Sequence, residues 1–271
     1  MRALMNRFGL AQAPFTKEVA TEDLYEIPTQ TDAIARLKAA VEARASAVLV
    51  GESGVGKTCV LRGLEHALNP ARARVTYLHH ANVSPRDFYR QLSAALGLEP
   101  RSHASAMFRQ VQAHIEDLAD EQKVHPVLLL DEAQLIPLSM LEQLHLLLNF
   151  RMDSRAFLSV VLVGLPALRE RLARNLLESL STRLPVRIHL ETLDVEQLSG
   201  YLQHRMRIAG CAQEVFSEDA VLSIREATGG VLRKVDILAQ HCLEAANRGK
   251  GTLVDGGLVL DAVRQCAEAL R

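Results

Sequence analysis

Two hydrophobic rhythms divide this chain. Short apolar runs near residues 47–51, 74–78, 127–131, 158–164 and 186–190 alternate with longer stretches of helical period at about 32–43, 58–68, 85–96, 104–119, 138–150 and 166–180. That alternation predicts strands joined by crossover helices, hence a doubly wound α/β domain with a five-stranded parallel sheet. Beyond residue 190 the rhythm is helical throughout, at 194–209, 217–227, 232–247 and 258–270. These stretches are broken by Gly210, by Gly229-Gly230 and by the glycine-rich stretch 249–257. A small all-helical domain is the expectation. Asp194 and Ser217 stand at N-cap positions with no glutamate three residues on, which predicts ordinary helix starts without a capping box. The leading segment carries Phe8-Gly9-Leu10 and Pro14-Phe15 among polar residues and reads as an arm packed on the core or on a neighbouring subunit. The predicted organisation is an arm at 1–31, an α/β domain at 32–191 and a helical domain at 192–271.

Composition narrows the classes. With 271 residues, 48% hydrophobic and 23% charged, the chain can bury a full core and exceeds one minimal domain. Its 31 basic and 32 acidic residues nearly cancel, so no global positive field drives non-specific nucleic-acid binding; any DNA contact must be a local patch. Cys59, Cys211, Cys242 and Cys266 lie far apart without metal-ligand spacing and suit reduced thiols. The N-terminus has no long apolar stretch, and no apolar run approaches the ~18 residues that span a bilayer, so a cytoplasmic protein is expected.

The chemistry concentrates in two motifs. Gly51-Glu52-Ser53-Gly54-Val55-Gly56-Lys57-Thr58 fits GxxxxGK[ST] in full, between a predicted strand and a predicted helix. Its glycines let the backbone curl so that N–H groups and the positive end of the helix face phosphates; Lys57 adds charge, Thr58 offers a hydroxyl to Mg²⁺, and Cys59 follows in the first turn. Asp131-Glu132 ends the run Val127-Leu128-Leu129-Leu130. Here Asp131 is the candidate Mg²⁺ residue and Glu132 the candidate polariser of attacking water. Phosphoryl transfer also calls for added positive charge. Arg183, just before the fifth strand, is placed to reach a neighbour's ATP, with Arg151 and Arg155 as competitors. Arg233, early in a helix after Gly229-Gly230, is placed to touch a γ-phosphate from a mobile lid.

Together these residues resemble the AAA+ ATPases, with a Walker A motif at 51–58 and a Walker B motif at 127–132. In that pattern Arg183 stands as arginine finger and Arg233 as sensor 2. More narrowly the chain resembles the ExeA-like and TnsC/TniB-like group. The shared residues are Phe8-Gly9-Leu10 with Pro14-Phe15, the run Leu129 to Gln134 (Leu-Leu-Asp-Glu-Ala-Gln), Val161 to Pro166, Leu168 to Leu172, and Gly229-Gly230 with Arg233. The resemblance implies a three-layer P-loop α/β domain with a C-terminal all-helical lid, ATP and Mg²⁺ as cofactors, and self-assembly into a ring or filament. Two positions depart from the pattern. The fourth strand runs into Gly164-Leu165-Pro166 where a polar sensor 1 residue is expected, leaving water positioning to Glu132 and Asn149 or making hydrolysis slow and switch-like. Leu232 stands where proline is common.

Within that group the ExeA-like secretion ATPases continue into a membrane-spanning segment, whereas transposition helpers are compact, bind DNA when ATP-loaded and recruit a transposase or integrase. Length and the lack of an apolar span favour the transposition reading, with a soluble ExeA-like secretion-type or other partner-remodelling ATPase that does not act on DNA as the alternative. The candidate DNA surface is His79, His80, Ser84, Arg86 and Arg90 after the second strand, with Arg101 and His103 at the next loop. The His79-His80 pair lacks further ligands at metal spacing.

Overall fold

The computed structural model describes residues 2–16, 19–79, 83–268 and 270. The chain divides into two compact units: residues 30–51 with 57–190, and residues 1–29 with 52–56 and 191–271.

The first unit is the α/β body. Five strands, β1 (Ala47–Gly51), β2 (Ala73–Leu78), β3 (His125–Leu130), β4 (Ser159–Gly164) and β5 (Val186–Leu190), form one parallel sheet in the order β2-β3-β4-β1-β5. The central strands β1, β3 and β4 are buried at every position, which is why they read as unbroken apolar runs. The edge strands β2 and β5 are only partly buried and carry Arg74, Arg187 and His189 outward. Val48, Leu128, Leu130, Val160 and Leu162 face a core shared with α4 (Pro85–Ala95), α5 (Ala104–Asp120) and α6 (Leu138–Leu147) through Phe88, Met107 and Met140. The alternate residues Leu49, Leu129, Val161 and Val163 are equally buried. On that face lies α3 (Lys57–Ala67), which meets α2 (Pro28–Glu42) so closely that a Cβ on Gly63 would sit 2.4 Å from Ile34 Cδ1. Three layers result, as the alternation predicts.

The stretch 166–180 does not form the single helix its period suggests. It breaks into α7 (Ala167–Leu172), a 3-10 turn at Asn175–Leu177 and α8 (Glu178–Ser181), because the tightened turn buries Leu177 while leaving Leu176 outside.

The second unit is helical: α9 (Val195–Ile208), α10 (Glu218–Thr228), α11 (Leu232–Arg248) and α12 (Gly256–Gln265). Asp194 does form a capping box, with Gln197 in the role that glutamate more often fills; Asp194 Oδ1 accepts from Gln197 N at 2.8 Å. Between α10 and α11, Gly230 (φ +72°) admits no side chain, since a Cβ there would lie 2.2 Å from the Leu193 carbonyl oxygen. The arm begins with a helix that sequence reading did not predict, α1 (Arg2–Phe8). Leu4, Phe8, Leu10 and Phe15 share one core with Leu198, Tyr201 and Leu243. Buried Arg205 ties the arm down by donating to the Pro14 and Thr16 carbonyls, both at 2.7 Å.

Candidate nucleotide site

Strand β1 ends at Gly51 and α3 starts at Lys57, so the phosphate-binding motif is the loop between them. Gly54 (φ +82°) and Gly56 (φ +107°) adopt the left-handed conformations that turn the loop back on itself. The Lys57 side chain is buried, its ammonium donating to the Gly51 carbonyl at 2.8 Å, which closes the base of the loop. Thr58, in the first turn of α3, is exposed, Cys59 is half-buried, and Glu52 and Ser53 are exposed, whereas Val55 is buried.

Asp131 and Glu132 follow β3 directly. Asp131 is buried and both its oxygens are engaged: Oδ1 accepts from the Glu132 amide at 2.8 Å, Oδ2 from the Tyr77 hydroxyl at 3.0 Å. Tyr77 comes from the neighbouring edge strand β2. Its own ionisation is pushed well above the ordinary tyrosine range by burial first and then by the negative charges of Asp131 and Glu132, so it acts only as a neutral donor. Glu132 takes the left-handed conformation (φ +52°) and is held by Gln134, whose Nε2 donates to Glu132 Oε2 at 2.6 Å. A carboxylate and an exposed hydroxyl are hard oxygen donors, the set that suits Mg²⁺ beside phosphate oxygens. Positive φ glycines, a buried lysine and a helix N-terminus suit the phosphates themselves. Tyr77 and Gln134 were missed as partners of the acidic pair. Gln134 stood in the quoted motif without a role, and Tyr77 carried no local signal.

Arg183 follows α8 and donates to Asp153 Oδ2 at 2.7 Å and to the Ser179 carbonyl at 3.0 Å. It precedes β5, whose first residue Val186 pairs with Ala47 at the start of β1. It therefore lies toward the end of the sheet opposite Gly51, with the length of β1, roughly 13 Å, in between. Of its competitors, Arg151 pairs with Asp120 and lies 5.0 Å over the Phe157 ring, and Arg155 forms an isolated bridge with Phe150.

Asn149 is not brought to the acidic pair. Helix α6 carries the chain away from Glu132 for ten residues, roughly 15 Å. Asn149 Oδ1 then accepts the Asp153 amide at 3.0 Å, supporting a turn in which Arg151, Met152 and Asp153 all have positive φ. Asn149 thus has local structural work in that turn.

Within the helical unit, Arg233 opens α11 against the tip of the phosphate loop. Its backbone N–H donates to the Gly54 carbonyl at 3.1 Å, and its Nη1 reaches Ser53 Oγ at 3.5 Å. A Cβ on Gly54 would lie 2.7 Å from Arg233 Cβ, so only glycine permits the approach.

Among the DNA candidates, Ser84 caps α4 through Asp87, and Arg90 pairs with Asp87 at 2.7 Å; both thus have local structural work. Arg86, Arg101 and His103 are exposed, and His79, also exposed, stacks on Tyr77 with ring centroids 6.5 Å apart. His80 lies outside the described residues.

Residues 41–172 match the AAA domain family, a stretch that contains the phosphate loop, the acidic pair and four of the five strands. Over that stretch the chain is similar to AAA domains. It is 32% identical over 260 residues to General secretion pathway protein A of Aeromonas hydrophila, a match covering 94% of this chain and 47% of that protein, so the chain spans about half the length of this curated relative. Among solved structures its fold resembles Cdc6p from Pyrobaculum aerophilum (TM-score 0.71, 18% identity, 93% of this chain and 70% of that one). It also resembles the Aeropyrum pernix ORC1 protein in complex with DNA (TM-score 0.64, 17% identity, 94% and 69%). Among the described residues no helix is long and apolar enough to cross a membrane.

Proposed function

We propose that this AAA ATPase domain works as a nucleotide-operated switch. Residues 51–58 hold the phosphates of ATP, and Thr58 and Asp131 hold Mg²⁺, which supplies charge neutralisation at the phosphates when bound. Glu132 orients and polarises the attacking water. Arg183 serves the ATP of a neighbouring copy in a ring or filament. The observation that carries the switch reading is the grip of Arg233 on Gly54 and Ser53: the helical unit touches the loop that holds phosphate, so a γ-phosphate there competes for the same guanidinium. Hydrolysis then changes the contact between Arg233 and that loop.

For the partner that reads the switch, two readings have support. The motifs shared with the TnsC/TniB-like group, together with exposed Arg86, Arg101 and His103, favour ATP-dependent assembly on double-stranded DNA and recruitment of a transposase or integrase. The 32% identity to a general secretion pathway protein favours a secretion-type role that does not act on DNA. DNA binding measured with ATP, ADP and a non-hydrolysable analogue separates them. ATP-selective binding, lost in Lys57→Ala, is the expected result of the first reading; equal absence of binding in all three states removes it and leaves the second.

A further inference from the structure

We propose that Gln134 is a positioning residue for hydrolysis, a two-ended clamp that ties the catalytic carboxylate of Glu132 to the end of strand β4. This deepens, and rests on, the assignment of Glu132 to water activation.

Both ends of one amide are used. Gln134 Nε2 donates to Glu132 Oε2 at 2.6 Å, and Gln134 Oε1 accepts the backbone N–H of Leu165 at 3.0 Å. The amide therefore has a fixed orientation: reversed, its oxygen would face the carboxylate and its NH₂ would face another donor. Gln134 is itself anchored, since Arg171 from α7 donates through Nη1 to the Gln134 carbonyl and through Nη2 to the Ile136 carbonyl, the latter at 2.7 Å. The last residue of β4 is cut to fit: a Cβ on Gly164 would lie 2.5 Å from Gln134 Oε1. Glu132 sits at positive φ, a conformation a non-glycine residue holds only when its surroundings fix it. The sequence lacks a polar side chain at the end of β4, and the structure gives the main-chain N–H of Leu165 a route to the catalytic group through Gln134. Gly164-Leu165 is then the strand end this clamp requires. One carboxylate oxygen is occupied by the clamp, and the other is left to meet water in a fixed orientation.

The test uses the full chain, with ATP turnover measured beside affinity for a fluorescent ATP analogue. Gln134→Ala is expected to lower kcat about tenfold with nucleotide affinity within about twofold of wild type, the signature of a lost positioning contact. Gln134→Glu keeps an acceptor for Leu165 but sets a carboxylate against Glu132, and is expected to lower kcat at least as far. Gly164→Ala should reproduce the loss by displacing the amide, without altering Glu132 or Gln134. In a Glu132→Gln background, Gln134→Ala should cost nothing further, because a clamp acts only through the group it holds; a merely structural role would add its cost in full. Unchanged kcat in Gln134→Ala, a rise in kcat, or full additivity with Glu132→Gln overturns the clamp. Equal turnover of wild type and Glu132→Gln would instead overturn the role of Glu132 on which it depends.

Discussion

At the scale of single residues, the site is defined as much by what holds the carboxylates as by the carboxylates. Lys57, Thr58, Asp131 and Glu132 were legible in the sequence because contiguous motifs carry them. Tyr77 was not, because its contact with Asp131 exists only where β2 lies beside β3 in the register that opposes Tyr77 to Leu129. Partners that orient a metal-binding carboxylate typically carry tenfold or more of its metal affinity. Tyr77→Phe is accordingly expected to raise the Mg²⁺ concentration for half-maximal turnover by about tenfold, with ATP affinity in EDTA unchanged. A Mg²⁺ titration of turnover checks it, and an unaltered midpoint would remove Tyr77 from the site.

At the scale of elements, the join between β3 and β4 predicts a pH response. His125 opens β3, its Nε2 meets Ser159 Oγ at 2.9 Å, and burial, with Arg44 nearby, lowers its pKa from 6.5 to about 4. The folded state therefore holds this ring neutral where the unfolded chain protonates it. Between about pH 6.5 and 4 the unfolded state binds more protons, so stability rises with pH across that window and is lost as pH falls through it. Between pH 7.5 and 5 the loss attributable to His125 is about 2 kcal/mol. His125→Gln, which does not titrate, should flatten the decline of stability over that range in chemical denaturation; an unchanged slope would show that other groups dominate. The elements themselves were largely visible in advance: continuous burial marked β1, β3 and β4, and helical period marked most helices. The break of 166–180 and the helix α1 were hidden because tertiary burial, of Leu177 in one case and of Leu4 and Phe8 in the other, decided them over local propensity.

At the scale of the whole molecule, the parallel sheet sets which charges can act together. All five strands end on the side that bears Gly51, Asp131 and Gly164, whereas Arg183 stands before a strand and is restrained there by Asp153. The role proposed for an arginine so placed is to serve phosphate on another copy. Arg183→Ala and Lys57→Ala should each lack turnover alone, and mixing them should restore it, since one supplies an intact loop and the other an intact arginine; mixing that restores nothing would confine catalysis to one copy. By itself the sequence determined the phosphate loop, the acidic pair and the alternation of strands and helices, because these depend on neighbours within a few residues: glycine φ freedom, hydrophobic period, contiguous spacing. Only the tertiary structure decided that Tyr77 meets Asp131, that Gln134 joins Glu132 to Leu165 and that Arg233 grips Gly54. Those pairings follow from strand order and helix packing, which bring together residues tens of positions apart that no local rule connects.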